Sequence, residues 1–161
     1  MRKIYVASSW RNADQPQVVK ALRASRHDVY DFRHPEIGNN GFHWSDIDTN
    51  WKLWTPEEFK NGLNNPIAVD GFALDFDAMK WANTCVLLTP CGRSAHLEAG
   101  YFVGAGKTLI ILLSDGEPEL MYSMASRICT SLDEVLSVLA QPKTDQRGIL
   151  NSQTRNSRSA D

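Results

Sequence analysis

The sequence predicts an α/β fold, a five-stranded parallel sheet held between two layers of helices. Three observations carry this. Short apolar, β-rich runs recur at residues 4–7, 28–32, 84–89, 108–113 and 127–130. Helical periodicity fills the gaps at 15–25, 68–83, 94–104 and 118–125, and 131–139 closes the series. The runs at 84–89 and 108–113 are apolar almost throughout, as strands buried on both faces are. Strands that alternate with helices stack into a covered parallel sheet, here a flavodoxin-like (Rossmann-like) three-layer sandwich.

Each element has its own warrant. The first strand breaks at Ser8-Ser9, and Val18, Val19 and Leu22 then recur at helical spacing. Asp28-Val29-Tyr30-Asp31-Phe32 reads as the second strand. From Arg33 to about Asn65 the pattern dissolves into turn residues, with Gly38-Asn39-Asn40-Gly41 and the tryptophans Trp44, Trp51 and Trp54. Only 56–63 looks helical there, with Thr55 as N-cap and Pro56 in the first turn. A segment this long without regular structure is usually a lid or a binding loop. The helix at 68–83 is expected to turn Phe72, Phe76, Met79 and Trp81 inward, and Ser94 is the expected N-cap of the next helix. After Gln141 the composition is Lys, Thr, Gln, Asn, Ser and Arg, too polar to offset the entropy of ordering. The expected organisation is a domain over 1–140 and a disordered tail over 141–161.

The chain has 161 residues, enough for one ordinary domain. A net charge of −2 without a basic cluster argues against a nucleic-acid polymer as partner. No apolar run approaches the roughly 18–20 residues of a membrane span, so no membrane partner is expected. The first residues lead directly into a strand and lack the long apolar stretch of a signal peptide. Cys85, Cys91 and Cys129 show no C-x-x-C spacing and read as reduced thiols, so a cytoplasmic location is expected. His34, His43, Asp46 and Asp48 repeat no known ligand spacing, so no metal and no cofactor are expected.

Glu98 is the single acidic residue between Asp77 and Asp115. It stands on an apolar helix just past a strand's carboxyl end, where open α/β sheets place their chemistry. Ala95, Ala99 and Phe102 surround it in sequence, and no Lys or Arg stands four residues away. With Ser94 as cap, Glu98 falls in or near the first turn, where the helix's positive end favours an ionised carboxylate. Such a group suits nucleophilic attack on an electron-poor sugar carbon; the bland alternative is a solvated surface glutamate. Asp75 and Asp77 read equally well as dipole-matching acids.

The loop Cys91-Gly92-Arg93-Ser94 offers close backbone approach, helix N–H groups and a guanidinium fork for an anion. It is also a plain helix cap with a surface arginine. Gly100 to Thr108 fails as a phosphate-binding P-loop, because its glycines end a helix instead of opening one. Trp10 and the loop tryptophans fit either stacking on a planar base or packing at an interface.

Ile4-Tyr5-Val6-Ala7-Ser8-Ser9-Trp10 resembles the opening strand and loop of the nucleoside 2-deoxyribosyltransferase-like family, which includes nucleotide N-glycosidases. Asp75-Phe76-Asp77-Ala78-Met79-Lys80-Trp81-Ala82-Asn83 is similar to that family's aspartate helix, and Glu98-Ala99-Gly100-Tyr101 to its nucleophile helix. The resemblance spans about residues 3–115. It implies cleavage of an N-glycosidic bond in a nucleoside or nucleotide, by hydrolysis or transfer. Glu98 would be the nucleophile and Asp75 would orient it and hold sugar hydroxyls. Tyr5, Ala7, Ser8, Ser9, Trp10, Asp77, Gly92, Arg93 and Ser94 would line the substrate. It also implies a homo-oligomer that shares its sites between subunits. The stretch from Trp44 to Trp54 has no clear counterpart in the family. Two rival functions remain open, a TIR-like NAD hydrolase and a non-catalytic module that senses a nucleotide.

Overall fold

The computed structural model describes residues 1–36, 38–114 and 119–142. Five strands form one sheet, all parallel: β1 (Lys3–Ala7), β2 (Asp28–Tyr30), β3 (Thr84–Leu88), β4 (Thr108–Leu112) and β5 (Arg127–Cys129), in the order β2-β1-β3-β4-β5. The helices are α1 (Gln15–Ala24), α2 (Pro56–Gly62), α3 (Pro66–Trp81), α4 (Arg93–Gly104) and α5 (Leu132–Ala140). The predicted flavodoxin-like sandwich is the observed one.

Strand alternation divides the core into two faces. Tyr5, Ala7, Cys85, Leu87, Leu109 and Ile111 pack against α3 and α4 through Ala78, Met79, Ala95, Ala99 and Phe102. Ile4, Val6, Val86, Leu88, Ile110 and Leu112 pack the other way, against Val18, Val19 and Leu22 of α1 and Val135 and Leu139 of α5. All five residues of β3 are buried, as befits the central strand of a sheet covered on both sides. Strand order reverses between β1 and β3, which opens a crevice at their carboxyl ends.

Several boundaries differ from the sequence reading. β2 ends at Tyr30, and Asp31 instead accepts from Gln15 Nε2 at 2.8 Å and caps the turn at Arg33 N. The helix expected at 68–83 starts earlier, because Asn65 accepts from the Ile67 amide and Pro66 suits the first turn. The helix expected at 118–125 is a 3₁₀ turn over Leu120–Met124, and residues 115–118 lie outside the described ones. Phe72 and Trp81 do not face inward; Phe72 is 67% exposed. The tail expected to be disordered lies, from residue 143 on, outside the described residues.

Lys107, which ends the glycine-flanked segment after α4, has a structural task. Its ammonium donates to the carbonyls of Met79, Lys80 and Ala82 at 2.7–2.8 Å, satisfying the carboxyl end of α3. Thr55 and Glu58 form the reciprocal capping box of α2. The tryptophans of the long segment largely satisfy one another. Trp44 packs edge-on against Phe42, Trp54 and Phe59, and the Trp54 indole donates to Asp48 at 2.6 Å.

Candidate active site

Tyr5 is fully buried on β1, on the sheet face that looks toward α3 and α4. Its hydroxyl makes no hydrogen bond of ordinary geometry. It lies beside the Glu98 carboxyl, near enough to favour the ionised form of that group. The Tyr5 ring stacks on Tyr30 of β2, centroids 5.4 Å apart and planes 15° from parallel. Tyr30 in turn donates from its hydroxyl to Asp75 Oδ1 at 2.8 Å. Glu98 from α4, Asp75 from α3 and two tyrosines from adjacent strands thus form one cluster beside the β1/β3 crevice.

The electrostatics differ from expectation. The cap of α4 is Gly92 and not Ser94, so Glu98 sits in the second turn, beyond the strongest influence of the helix's positive end. Burial dominates instead and, with the Asp75 charge nearby, pushes the Glu98 carboxyl up to about 7; the Tyr5 hydroxyl offsets part of this. Asp75 is also pushed up by burial, while its bond from Tyr30 pulls it back down. Both tyrosines are driven above the ordinary phenol range, mainly by burial and then by the two carboxylates. Cys91 is raised to about 11 by burial and by Glu98, so it is a thiol at neutral pH.

The remaining residues expected at the site fall into two groups. Ala7 is buried at the end of β1, and Ser8 ties that end to β3 by donating to Leu88 O at 3.1 Å. Ser9 Oγ accepts from Arg11 N, and Trp10, 40% exposed, packs against Phe32 and His43. Asp77 is not part of the cluster: it is exposed and paired with Lys80 at 2.5 Å. Arg93 and Ser94 are exposed in the first turn of α4, ahead of Glu98 in the second. His96 Nδ1 donates to Gly92 O at 2.8 Å, which leaves Nε2 to accept from the Tyr122 hydroxyl at 2.9 Å.

Sequence reasoning missed two contributors. In the sequence Tyr30 is only part of a strand. Arg33 only opens the irregular segment there, yet its guanidinium donates to the carbonyls of Ser9, Trp10 and Asn12 and so fixes the β1–α1 turn. No short motif announces either contact.

A cavity of about 230 Å³ adjoins the cluster, between the 33–65 segment and α3, with Tyr30 and Asp75 in its wall. A larger and more open depression near β5 and α5 contains none of the clustered residues. Among the described residues no group of three or more His, Cys, Asp and Glu is placed to hold a metal, and no helix is long and apolar enough to cross a membrane.

No family model matches the chain. An uncharacterized protein of Bacillus subtilis (strain 168), YfnF, is 26% identical over 114 residues, which is 71% of this chain and 36% of that protein. The chain therefore spans little more than a third of the curated relative it matches. Among solved structures, the CMP N-glycosidase BcmB of Clostridium botulinum superposes at TM-score 0.46 with 16% identity, covering 86% of this chain and 98% of that one. The 2-deoxyribosyltransferase of Bacillus psychrosaccharolyticus superposes at TM-score 0.54 with 22% identity, covering 89% of this chain and 94% of that one. This chain is built on the fold of that transferase.

Proposed function

We propose that the protein cleaves the N-glycosidic bond of a nucleoside or nucleotide, by hydrolysis or by transfer of the ribosyl or deoxyribosyl group. On this reading it is a member of the nucleoside 2-deoxyribosyltransferase-like family. The observation that carries the proposal is the meeting of Glu98 and Asp75 beside the buried Tyr5 hydroxyl, at the crevice where the sheet order reverses. The fold shared with a 2-deoxyribosyltransferase supports it.

Glu98 attacks the anomeric carbon as the base departs, and water or a second base resolves the glycosyl-enzyme. Two inversions give net retention, the logic of retaining glycosidases. A carboxyl raised to about 7 is a stronger nucleophile when ionised than an ordinary glutamate, and it remains ionised in much of the population at neutral pH. Tyr5 hydrogen-bonds the carboxyl or the sugar ring once substrate draws the groups together. Asp75, held by Tyr30, orients Glu98 and accepts from sugar hydroxyls. The backbone of Ala7, Ser8 and Ser9 lines the sugar, and Trp10 covers the base. Gly92 caps α4 without a side-chain hydrogen bond, leaving the first N–H groups with Arg93 to meet a 5′-phosphate when a nucleotide binds.

The test is a panel of nucleosides, 5′-monophosphates and NAD, each incubated with the protein and assayed for free base. Release from at least one, lost in Glu98→Gln, is the expected result. No release from any of them, with or without an acceptor base, overturns the reading. Release from NAD alone favours the TIR-like alternative.

A further inference from the structure

We propose that the cavity between the 33–65 segment and α3 is the base subsite, and that Asp46 and Asp70 make it select a nucleobase carrying an amino group over its carbonyl counterpart. This rests on the N-glycosidic reading above. The cavity, about 230 Å³, lies below the ~300–1,000 Å³ typical of drug-sized sites, so it suits one planar ring system and not a whole nucleotide. Tyr30, Phe32, Phe42 and Leu74 supply flat apolar walls. Asp75 belongs both to this wall and to the Glu98 cluster, which sets a bound base next to the nucleophile.

Of the five polar side chains in the wall, Asp46, Asp70 and Asp75 are carboxylate acceptors, Tyr30 donates to Asp75 and the Asn39 oxygen accepts from the Gly41 amide; no Lys, Arg or His stands among the described lining residues. Asp46 and Asp70 are exposed where they line the cavity, and among the described residues their carboxylates form no ion pair and no side-chain hydrogen bond. Glu36 adds further negative charge at Tyr30. A carboxylate accepts from the exocyclic amine of cytosine or adenine. A uracil or hypoxanthine carbonyl in the same place would oppose one acceptor to another and forgo that hydrogen bond. The carboxylates do not group as a metal site, so a cation offers no competing account of them.

The cavity's walls also depend on glycine at two points. Gly41 has φ +75°, and a Cβ there would lie 2.3 Å from Phe32 O. A Cβ on Gly71 would lie 3.0 Å from the Phe42 Cβ. The 33–65 segment and α3 therefore meet at a separation that larger residues would disturb.

The experiment compares kcat/KM within the pairs cytidine/uridine and adenosine/inosine, in ribo and deoxy forms, for the wild type and for Asp46→Asn/Asp70→Asn. Calorimetry of free cytosine against free uracil runs beside it on the same proteins. At least about a tenfold preference for the amino member of one pair is expected, falling to within about threefold in the double variant. Cytosine or adenine should also bind more tightly than the carbonyl partner, again only with the acids present. Cleavage without preference, or a preference that survives in the double variant, overturns the base-selection proposal and leaves the glycosidic reading standing. Selective base binding without cleavage of any substrate keeps the subsite and overturns the glycosidic reading. The absence of both base binding and base preference overturns this proposal.

Discussion

The Tyr30 hydroxyl donates to Asp75 at 2.8 Å across a sequence separation of 45 residues, joining an edge-side strand to the middle of α3. The bond favours the ionised form of Asp75, while burial opposes it. Tyr30→Phe removes the bond and keeps the stack on Tyr5. A net hydrogen bond of roughly 0.5–1.5 kcal/mol predicts a drop in turnover of about two- to tenfold. It also predicts that an acid limb of the pH–rate profile assigned to Asp75 moves upward, because the stabilising donor is gone. Circular dichroism and near-wild-type melting would establish that the fold survives. An unchanged rate and profile would make Tyr30 a packing residue only.

Glu98→Gln keeps the shape of the side chain and removes the proposed nucleophile. Base release should fall by far more than tenfold with the secondary structure intact. Retention of more than about a tenth of the rate, a barrier change of roughly 1.4 kcal/mol, would exclude covalent catalysis by Glu98.

The same carboxyl has a signature in stability. Its proton is held in the folded state up to about pH 7, against an ordinary value of 4.5. Between these values the folded state binds more protons than the unfolded one, so this group makes stability fall as pH rises. Above about 7 the loss is complete, and below 4.5 it is absent. The melting temperature of Glu98→Gln should therefore exceed that of the wild type by several degrees at pH 8, with a smaller gap at pH 4.5. The acid limb of kcat/KM in the wild type should fall near pH 7, with activity rising toward higher pH. A gap independent of pH would show that Glu98 titrates as an ordinary surface acid.

The fold was legible because its signals are local. β3 and β4 are continuous apolar runs, and Glu98 stands out as the lone acid in an apolar stretch. Placement around a helix was less legible. Asp75 and Asp77 are two residues apart, about 200° around α3, so one can face the site while the other meets solvent and Lys80. Phe72 and Trp81 depart from the expected inward face because α3 carries apolar residues all round, which leaves its buried face unmarked in the sequence. The α4 cap depended on the extended backbone of Gly92, and Gly92 and Ser94 are both acceptable cap residues by type. Long-range partners such as Tyr30 with Asp75, or Arg33 with three carbonyls of the β1–α1 turn, leave no periodic trace in a single sequence.

The misread face of α3 leads to the last prediction. Phe72 stacks on Phe76 at 5.4 Å, and Phe76 meets Tyr101 of α4 edge-on at 5.5 Å. This aromatic ridge links the two helices that carry the proposed catalytic acids; Phe72 is its exposed end, while Phe76 and Tyr101 are partly buried against the core. Leu97, 77% exposed, stands on α4 beside His96, which is bonded to Tyr122 in the turn that also exposes Leu120 and Met121. Exposed apolar patches larger than a few hundred Å² usually mark an interface. We expect a second copy of the chain to cover the ridge, in a homodimer or a larger closed oligomer. Light scattering at micromolar concentration should give a mass at least twice that of the chain, and Phe72→Glu should shift it toward monomer. Like charge brought to the centre of a two-fold contact disfavours association without touching Glu98 or Asp75. A wild-type species of 18.1 kDa with full activity would sink the idea that assembly completes the site.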